Sequence, residues 1–407
     1  MSMKVLYERC AGCDVHKKTA TVHVIVPEGG ETRTYGTTTT ELLEMVEWLL
    51  ALRVTHVAME STGVYWKPLY NLLEATGLTV FVVNAAHMKA VPGRKTDVQD
   101  AVWICDLMRH GLLKPSLIPP RSQRELRELV RYRMSLIHER TNEGNRIQKI
   151  LEGGNIKLGS VVSEILGKTG RQILAGIVQG TATPETLAAM ADCRVRATPE
   201  ELTEALRGRL NDHQRILLRM QLDHVRYLDQ QIAALDVEVA KRLTPFGAQL
   251  QQLDTIPGVN QRVAEVMIAI VGADMMRFPN AHHLVSWAGM CPGSNESAGK
   301  RRNARTRKGN AMLRGTLTQA GHAAGRTKNT YLGAIYRRIA ARRGGKKAAI
   351  AVGRTILEIA YFVLRDGVAY EELGVNYYDE RKKAAVARNA VKRLERLGYR
   401  VAIEPAA

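Results

Sequence analysis

Four acidic residues in the first hundred positions have the types and spacing of a metal-binding site. Asp14 and Glu60 each follow a short apolar segment, in the strings CAGCD and VAME. Asp97 and Asp100 lie three positions apart, so on a helix they would share one face. Converging carboxylates repel one another unless a cation neutralises them, and their hard oxygen atoms favour Mg²⁺, with Mn²⁺ as an alternative. The pattern predicts a divalent-cation site suited to phosphoryl displacement.

The segments around these acids predict an α/β domain that would bring them together. Alternating and apolar patterns predict strands at 8–15, 19–26, 31–36, 54–60 and 78–83. Helical spacing predicts helices at 41–52, 64–76 and 96–110, with Thr40 and Thr96 as N-caps. In an RNase H-like sheet the first and fourth strands are neighbours and the last helix crosses beside them. Taken singly, Asp97 or Asp100 could instead simply favour the helix dipole.

The charge of the chain predicts a polyanionic partner. Lysine and arginine total 59 against 40 acidic residues, which gives a formal net charge of +19. Residues 297–357 contain sixteen lysines or arginines and no acidic residue, whereas a solvated surface normally mixes both signs. Such an excess favours nucleic acid, because each neutralised phosphate releases counterions. The sequence has no run of eighteen apolar residues and no signal-peptide pattern, so we expect a cytoplasmic protein without a membrane partner.

The five cysteines predict no metal site. Cys10 and Cys13 form a C-x-x-C, but no second pair or histidine cluster completes a zinc site. On a strand, positions three apart point to opposite faces. We therefore expect reduced, mostly buried thiols.

The middle of the chain predicts two long helices. One covers 121–151, and the other covers 201–243 with a heptad core at Leu218, Val225, Ile232 and Val239. An extended helix pair or coiled coil would act as a spacer or as an oligomer seam. Packing of the second helix within one bundle is an equally good interpretation. Residues 152–200 are glycine-rich and only weakly periodic.

A turn at IPGV, residues 256–259, has the features of a helix-hairpin-helix motif within 253–272. Such a turn can offer backbone N–H groups, here around Gly258, to a DNA phosphate. An ordinary turn between two helices is the alternative. From 381 onward the chain ends in a short basic tail with helical character.

Several motifs in both halves resemble the DEDD-type insertion-sequence transposases, a family that includes the Piv-like DNA invertases and the bridge-RNA-guided recombinases. The resemblance spans about residues 9–365 and is weakest across 150–245. The motifs that carry it are GCDV at 12–15, ESTG at 60–63, KTD at 95–97, TIPGV at 255–259, ESAGK at 296–300 and KGN at 308–310.

The resemblance implies three domains: a RuvC-like catalytic domain at 1–112, a helical linker at 113–245 and a mostly α-helical transposase domain at 246–380. With the basic tail at 381–407, we expect four parts. It also implies a catalytic serine in the transposase domain that acts with the DEDD metal site. Ser297 matches that serine, although the family often has glycine where Ala298 stands, and Ser294 is a nearby competitor.

A serine nucleophile would attach covalently to DNA and so retain the phosphodiester energy for rejoining. Without the resemblance, Ser297 could be an ordinary polar residue in a loop rich in Gly, Ser and Asn. We expect His16 to contact phosphates rather than metal. The other expected nucleic-acid contacts are Lys17, Lys18, Lys95, Gly258, Lys300, Arg301, Arg302, Arg305, Arg307, Lys308 and Arg314.

The sequence thus predicts a DNA recombinase with a composite site that acts on donor and target DNA. The resemblance adds a structured guide RNA and a tetramer, and the heptads would support an oligomer. Two alternatives remain. One is a RuvC-like nuclease that uses a metal-activated water and no serine, and the other is a non-catalytic nucleic-acid-binding protein.

Overall fold

The computed structural model describes residues 4–61, 63–84, 97–293, 295–297, 300–303, 306, 309–381 and 383–402, with the backbone alone at 97–99, 295–297 and 300–303. The chain divides into two compact units, Met1–Pro119 and Pro120–Ala407. The predicted transposase domain and all of the predicted linker except residues 113–119 fall in the second unit, and the four-part division stays a prediction.

The N-terminal unit contains a mixed five-stranded sheet in the order β3-β2-β1-β4-β5. Its strands are β1 (Cys10–Val15), β2 (Thr19–Val26), β3 (Gly29–Gly36), β4 (His56–Glu60) and β5 (Thr79–Val83). β1 pairs antiparallel with β2 and parallel with β4. The predicted neighbourhood of the first and fourth strands is therefore confirmed.

Helices cover the two faces of this sheet. They are α1 (Thr39–Ala51), α2 (Trp66–Glu74) and α3 (Asp97–Arg109). Side chains alternate along β1, so Cys13 packs in the core that contains α1 and α2, while Cys10 packs with Cys105 of α3. A Cβ on Gly12 would lie 2.3 Å from the Ala101 carbonyl oxygen, so only glycine lets α3 lie this close to the strand.

The first helix and its N-cap each begin two residues earlier than predicted. Thr38, not Thr40, is the N-cap, and its hydroxyl accepts the Glu41 N–H at 3.4 Å. The Glu41 carboxylate in turn accepts the Gly36 N–H at 3.0 Å. Thr38 and Glu41 have the T-x-x-E spacing of a helix N-terminus, in which the two side chains accept backbone N–H groups. Thr40 is adjacent to Glu41 and does not have this spacing. The predicted cap Thr96 lies outside the described residues.

The regular structure described in the C-terminal unit is helical apart from one β-hairpin, as predicted for a mostly α region. Its long helices are α4 (Arg121–Gly153), α9 (Asp212–Leu243), α13 (Ala311–Arg326), α14 (Tyr331–Arg343) and α15 (Gly345–Asp366). The shorter elements are α5 (Leu158–Val161), α6 (Lys168–Gln179), α7 (Pro184–Ala188), α8 (Pro199–Ala205), α10 (Gly247–Asp254), α11 (Gln261–Val271), α12 (Ala281–Trp287), β6 (Asn295–Ser297), β7 (Lys300–Asn303), α16 (Tyr377–Arg381) and α17 (Lys383–Glu395).

The two longest helices pack against each other within one chain. They run antiparallel, because Arg133 pairs with Asp236 while Arg140, further along α4, pairs with Asp229, nearer the start of α9. The heptad residues of α9 are buried; Leu218 is fully so. The two helices thus form a pair within one chain, and the buried heptad face of α9 is not available as an oligomer seam. Whether this pair acts as a spacer stays a prediction.

The predicted continuous helix over 201–243 was wrong. α8 ends at Ala205 and α9 begins at Asp212. Between them, a Cβ on Gly208 would lie 2.3 Å from the carbonyl oxygen of Gly154, so the chain folds back onto the end of α4. Asn211 then restarts the helix in a capping box with Gln214. Tertiary packing here overrides the helical spacing of the sequence.

A buried arginine connects three helices of the C-terminal unit. Arg133 of α4 is 2% exposed and bonds to Glu265 of α11 at 2.7 Å and Asp236 of α9 at 3.0 Å. The helices α13 and α15 cross with their backbones in close contact. A Cβ on Gly321 of α13 would lie 2.3 Å from the carbonyl oxygen of Ala349 in α15. Within the described residues, no helix has the length and apolarity that a membrane span requires.

Candidate active site

The register of two parallel strands places Asp14 beside Glu60. Cys13 of β1 pairs with Met59 of β4, so the next residues of the two strands stand at the same level. Parallel strands in register direct paired side chains to the same face. Asp14 shares the face of Gly12 and Cys10, which is the face that α3 covers. The sequence prediction that these two carboxylates are neighbours therefore agrees with the backbone.

The direction of α3 brings its acidic end toward the same edge of the sheet. The N–H of Tyr7, before β1, donates to the carbonyl of Arg109 at 3.1 Å, and Gly12 faces Ala101. α3 therefore runs antiparallel to β1, with its first turn toward Asp14. Asp97 and Asp100 both belong to that turn. The side chain of Asp97 lies outside the described residues.

A cation at this edge would meet a suitable but incomplete set of ligands. Asp14 is 7% exposed, and one of its oxygens lies 3.1 Å from the His16 ring nitrogen Nε2. Among the described side chains, which include Asp14, Glu60 and Asp100, no three potential ligands come together. The chemistry of these oxygens fits a hard cation. The described side chains do not form a closed site by themselves.

Two lysines lie next to these carboxylates. Lys17 and Lys18 are exposed in the turn between β1 and β2, directly after Asp14 and His16. The hydroxyl of Thr37 donates to the Lys17 carbonyl at 2.9 Å, which ties the turn to the end of β3. Exposed positive side chains beside carboxylates attract phosphate groups.

The C-x-x-C pair is divided between the two faces of the sheet, as its strand spacing predicted. Cys10 contacts Cys105 with a sulfur-to-sulfur distance of 3.8 Å, and Cys13 lies in the core on the other face. Burial, together with the Asp14 charge, raises the pKa of the Cys13 thiol to about 12. The thiol is therefore neutral at physiological pH, which disfavours it as a metal ligand.

Ser297 lies on a hairpin rather than in an irregular loop. It is the last residue of β6 and pairs with Lys300 of β7, and a bridge between Pro292 and Thr306 extends the pairing at the base. The side chain of Ser297 and all of Ser294 lie outside the described residues. The backbone therefore gives Ser297 a defined position at a hairpin tip without showing what its hydroxyl contacts.

The predicted nucleic-acid contacts in the C-terminal unit are described only in part. Gly258 has φ +87°, and a Cβ there would lie 2.4 Å from the Ala320 carbonyl oxygen of α13. Packing alone thus accounts for this glycine, and its phosphate contact stays a prediction. Arg314 is half-buried on α13. The remaining predicted contacts, in whole or in their side chains, lie outside the described residues: Lys95, Lys300, Arg301, Arg302, Arg305, Arg307 and Lys308.

The sequence argument missed a second group of cations on α14 and α15. Arg338, Arg342, Arg343 and Lys347 line one cavity of the C-terminal unit. Their signal was present in the acid-free stretch, where Arg338 and Arg342 stand one helical turn apart. The charge of that stretch was recognised, but not its concentration around a cavity.

Comparisons with known proteins agree on one family. A model described as Transposase, of the DEDD type of IS110, matches residues 11–156, and one described as Transposase IS116/IS110/IS902 family matches residues 250–337. A curated relative from Streptomyces coelicolor, "Insertion element IS110 uncharacterized 43.6 kDa protein", is 28% identical over 315 residues. That alignment covers 69% of this chain and 73% of the relative. The two matched regions contain the acidic strand ends and the Ser297 hairpin.

Proposed function

This chain belongs to the IS110 family of transposases, and from that premise we propose that it cuts and rejoins DNA through a covalent link between a serine and a DNA phosphate. The observation that carries the proposal is the register of Asp14 and Glu60 on adjacent parallel strands, on the face crossed by α3. Such an arrangement of acids has no evident structural purpose, since carboxylates side by side repel.

We assign the metal-binding role to Asp14, Glu60, Asp97 and Asp100. They would hold Mg²⁺, or Mn²⁺ in its place. The cation would supply positive charge to the phosphate oxygens during displacement. The chain's own contribution is to fix the carboxylates through the β1–β4 ladder and to keep Asp14 largely away from water. Lys17 and Lys18 would orient the DNA strand from the adjacent turn.

We assign the nucleophile to Ser297, with Ser294 as the alternative. The serine oxygen would form a bond to phosphorus while the bond from phosphorus to the leaving sugar oxygen breaks. The serine gives up its proton, and the leaving strand end takes one up as a hydroxyl. Attack by the hydroxyl of another strand then reverses the step and frees the serine, so rejoining needs no ATP. The position of Ser297 at a hairpin tip supports access to a strand.

We further propose donor and target DNA as substrates and a structured guide RNA as a partner. The acid-free stretch 297–357 supports a polyanion in this half of the chain, although charge alone does not choose between DNA and RNA. Purification with and without the transcribed flanking DNA, followed by sequencing of bound RNA, tests the guide. Strand exchange requires four cuts, so we propose a dimer or tetramer. Its contacts must lie elsewhere than the buried heptad face of α9.

A strand-transfer assay with purified full-length protein tests the recombinase. Glu60→Gln should abolish strand transfer, because a neutral amide cannot replace a charged ligand. Ser297→Ala should abolish strand transfer and leave salt-sensitive DNA binding nearly unchanged. Ser294→Ala, three positions away, is the matched control and should remain active.

The same variants separate the alternatives. If Ser297→Ala still cuts DNA but no protein attaches to it, the chain is a metal-dependent nuclease that uses water. If Ser297→Ala recombines normally and Ser294→Ala does not, the nucleophile is Ser294. If the unaltered protein binds DNA and never cuts any strand under any divalent cation, it is a non-catalytic binding protein.

A further inference from the structure

An open cavity of about 870 Å³ lies in the C-terminal unit, between α14, α15 and the base of the hairpin. Its floor is apolar and comprises Met290, Ile339, Ile350 and Ala351. Met290 is buried, and the other three are half-buried. Cavities of this size and lining bind flat, largely apolar groups.

The rim of the cavity is strongly basic. Arg354 is paired with Glu358 at 2.9 Å, and Arg338 is near Asp379 at 3.8 Å. The other three rim cations, Arg342, Arg343 and Lys347, are exposed and form no ion pair within the described part of the chain. An apolar floor below unpaired cations is complementary to a ligand that is flat and apolar in the middle and anionic on both sides.

The cavity adjoins the hairpin that carries Ser297. Pro292 and Thr306, whose bridge forms the base of the hairpin, both line it. The cavity therefore lies at the base of the hairpin whose other end carries Ser297. Neither the cavity nor its cations take part in the serine chemistry proposed above.

We propose that this cavity takes one unpaired DNA nucleoside, with the base on the apolar floor and the flanking phosphates on Arg342, Arg343 and Lys347. Paired bases are hidden within the duplex stack, so only a base that has left the stack can reach the floor. DNA is the occupant because the rim leads to the hairpin that is proposed to attack DNA. The inference therefore rests on the proposed function and adds a site that selects distorted DNA.

An equilibrium binding assay tests this proposal with the full-length protein in EDTA, so that no strand is cut. Four short duplexes are compared: a perfect one, one with a single bulged deoxynucleotide, one whose bulged nucleotide lacks its base, and one whose bulged nucleotide is a ribonucleotide. We expect the base-bearing bulge to bind about tenfold more tightly than the abasic bulge, because only the former fills the cavity. The perfect duplex should bind no more tightly than the abasic one.

Two substitutions connect this preference to the cavity. Ala351→Phe fills the floor and should remove the preference for a base, whereas Ala341→Phe, on an exposed position of α14 outside the cavity, should retain it. Because Ala351→Phe can disturb packing, Ile339→Ser serves as a second variant that removes apolar surface without added bulk. Circular dichroism confirms that each variant is folded.

Equal affinity of the unaltered protein for the base-bearing and abasic bulges would overturn the proposal. So would a preference limited to a bulged ribonucleotide, which would make RNA the occupant, or a preference that both folded variants retain. The cavity proposal and the recombinase proposal are refuted by different results. A protein that cuts DNA but ignores the bulged base refutes only the cavity, and one that prefers the base but never cuts refutes only the recombinase.

Discussion

The two units of this chain position their candidate reactive groups by different means. In the N-terminal unit, Asp14 and Glu60 stand on adjacent central strands of a five-stranded sheet, where backbone pairing sets their spacing. In the C-terminal unit, Ser297 stands at the tip of a two-stranded hairpin on a helical body. A central sheet resists distortion, whereas an isolated two-stranded hairpin adapts easily. Metal ligands need fixed spacing, and a nucleophile that reaches a long substrate benefits from adaptability.

The two units also differ in the contacts that hold their elements together. The N-terminal unit is joined by close contact, with Gly12 of β1 directly under α3. The C-terminal unit is joined in part by charge, with Arg133 buried between Glu265 and Asp236. Substitutions at these positions should therefore affect one unit and leave the other unchanged.

Asp14→Asn should reduce strand transfer by at least about 100-fold, because several kcal/mol of charge stabilisation are lost with one cation ligand. The fold should survive, since asparagine has the same shape. A strand-transfer assay gives the rate, and circular dichroism gives the fold. Glu31→Gln, on an exposed position of β3, is the matched control and should be fully active. Activity of Asp14→Asn equal to that of the control would remove Asp14 from the site.

Arg133→Ala should destabilise the C-terminal unit by about 3–5 kcal/mol, because it leaves the buried Glu265 carboxylate without its partner. Hydrogen–deuterium exchange should show faster opening of α4, α9 and α11, with the N-terminal sheet unaffected. Arg226→Ala breaks an exposed pair with Asp223 and should cost less than about 1 kcal/mol. Similar effects of the two substitutions would show that the buried trio does not join these helices.

Gly12→Ala should destabilise the N-terminal unit by about 1–3 kcal/mol, because the new methyl group meets the backbone of α3. Since α3 carries two of the four acids, strand transfer should fall as well. Thermal unfolding and strand transfer are the measurements. Gly247→Ala, which meets no atom within 4 Å, should leave both unchanged. A stable and active Gly12→Ala protein would contradict the close approach of β1 and α3.

Alkaline pH should weaken the N-terminal unit before the C-terminal one. Burial raises the pKa of the Cys13 thiol from 9.0 to about 12. The folded state favours the neutral thiol, whereas the unfolded chain ionises it above pH 9. The contribution of this thiol to the free energy of unfolding is therefore complete below pH 9 and is lost as the pH rises toward 12. Hydrogen–deuterium exchange of β1 across this range measures the loss. Cys13→Ala should reduce the pH dependence of exchange in β1. If this dependence is unchanged in Cys13→Ala, groups other than Cys13 cause it.

Sequence reasoning recovered the sheet because its signals are local. Each strand of the first unit is short, apolar or alternating, and bounded by turn residues. Asp14 and Glu60 stand at the ends of two such apolar strands, so their positions could be predicted from the sequence pattern. Of the strand order, only the adjacency of the first and fourth strands was predicted, from the expected RNase H-like arrangement. The cap of α1 was misplaced by two residues within the run Thr37, Thr38, Thr39 and Thr40, because the T-x-x-E spacing that singles out Thr38 was not used.

What sequence reasoning missed depends on residues far apart in the chain. Arg133 and Glu265 are buried partners separated by 132 positions, and no local pattern connects them. The break after α8 depends on Gly208 meeting Gly154. The hairpin of Ser297 lacks the alternation of a strand, since polar and basic residues occupy both faces. The basic cavity forms only when α14 and α15 fold against each other.

The most direct test of the central claim is to trap the cleaved DNA on the protein and map the attachment by mass spectrometry. A donor duplex nicked so that the released strand end diffuses away should leave the protein attached under denaturing conditions. The account predicts a nucleotide on the peptide that contains Ser297, present with Mg²⁺ and absent with EDTA or in Asp14→Asn. DNA cut to the same extent with no attached protein, or attached through a residue other than a serine of this hairpin, would contradict it.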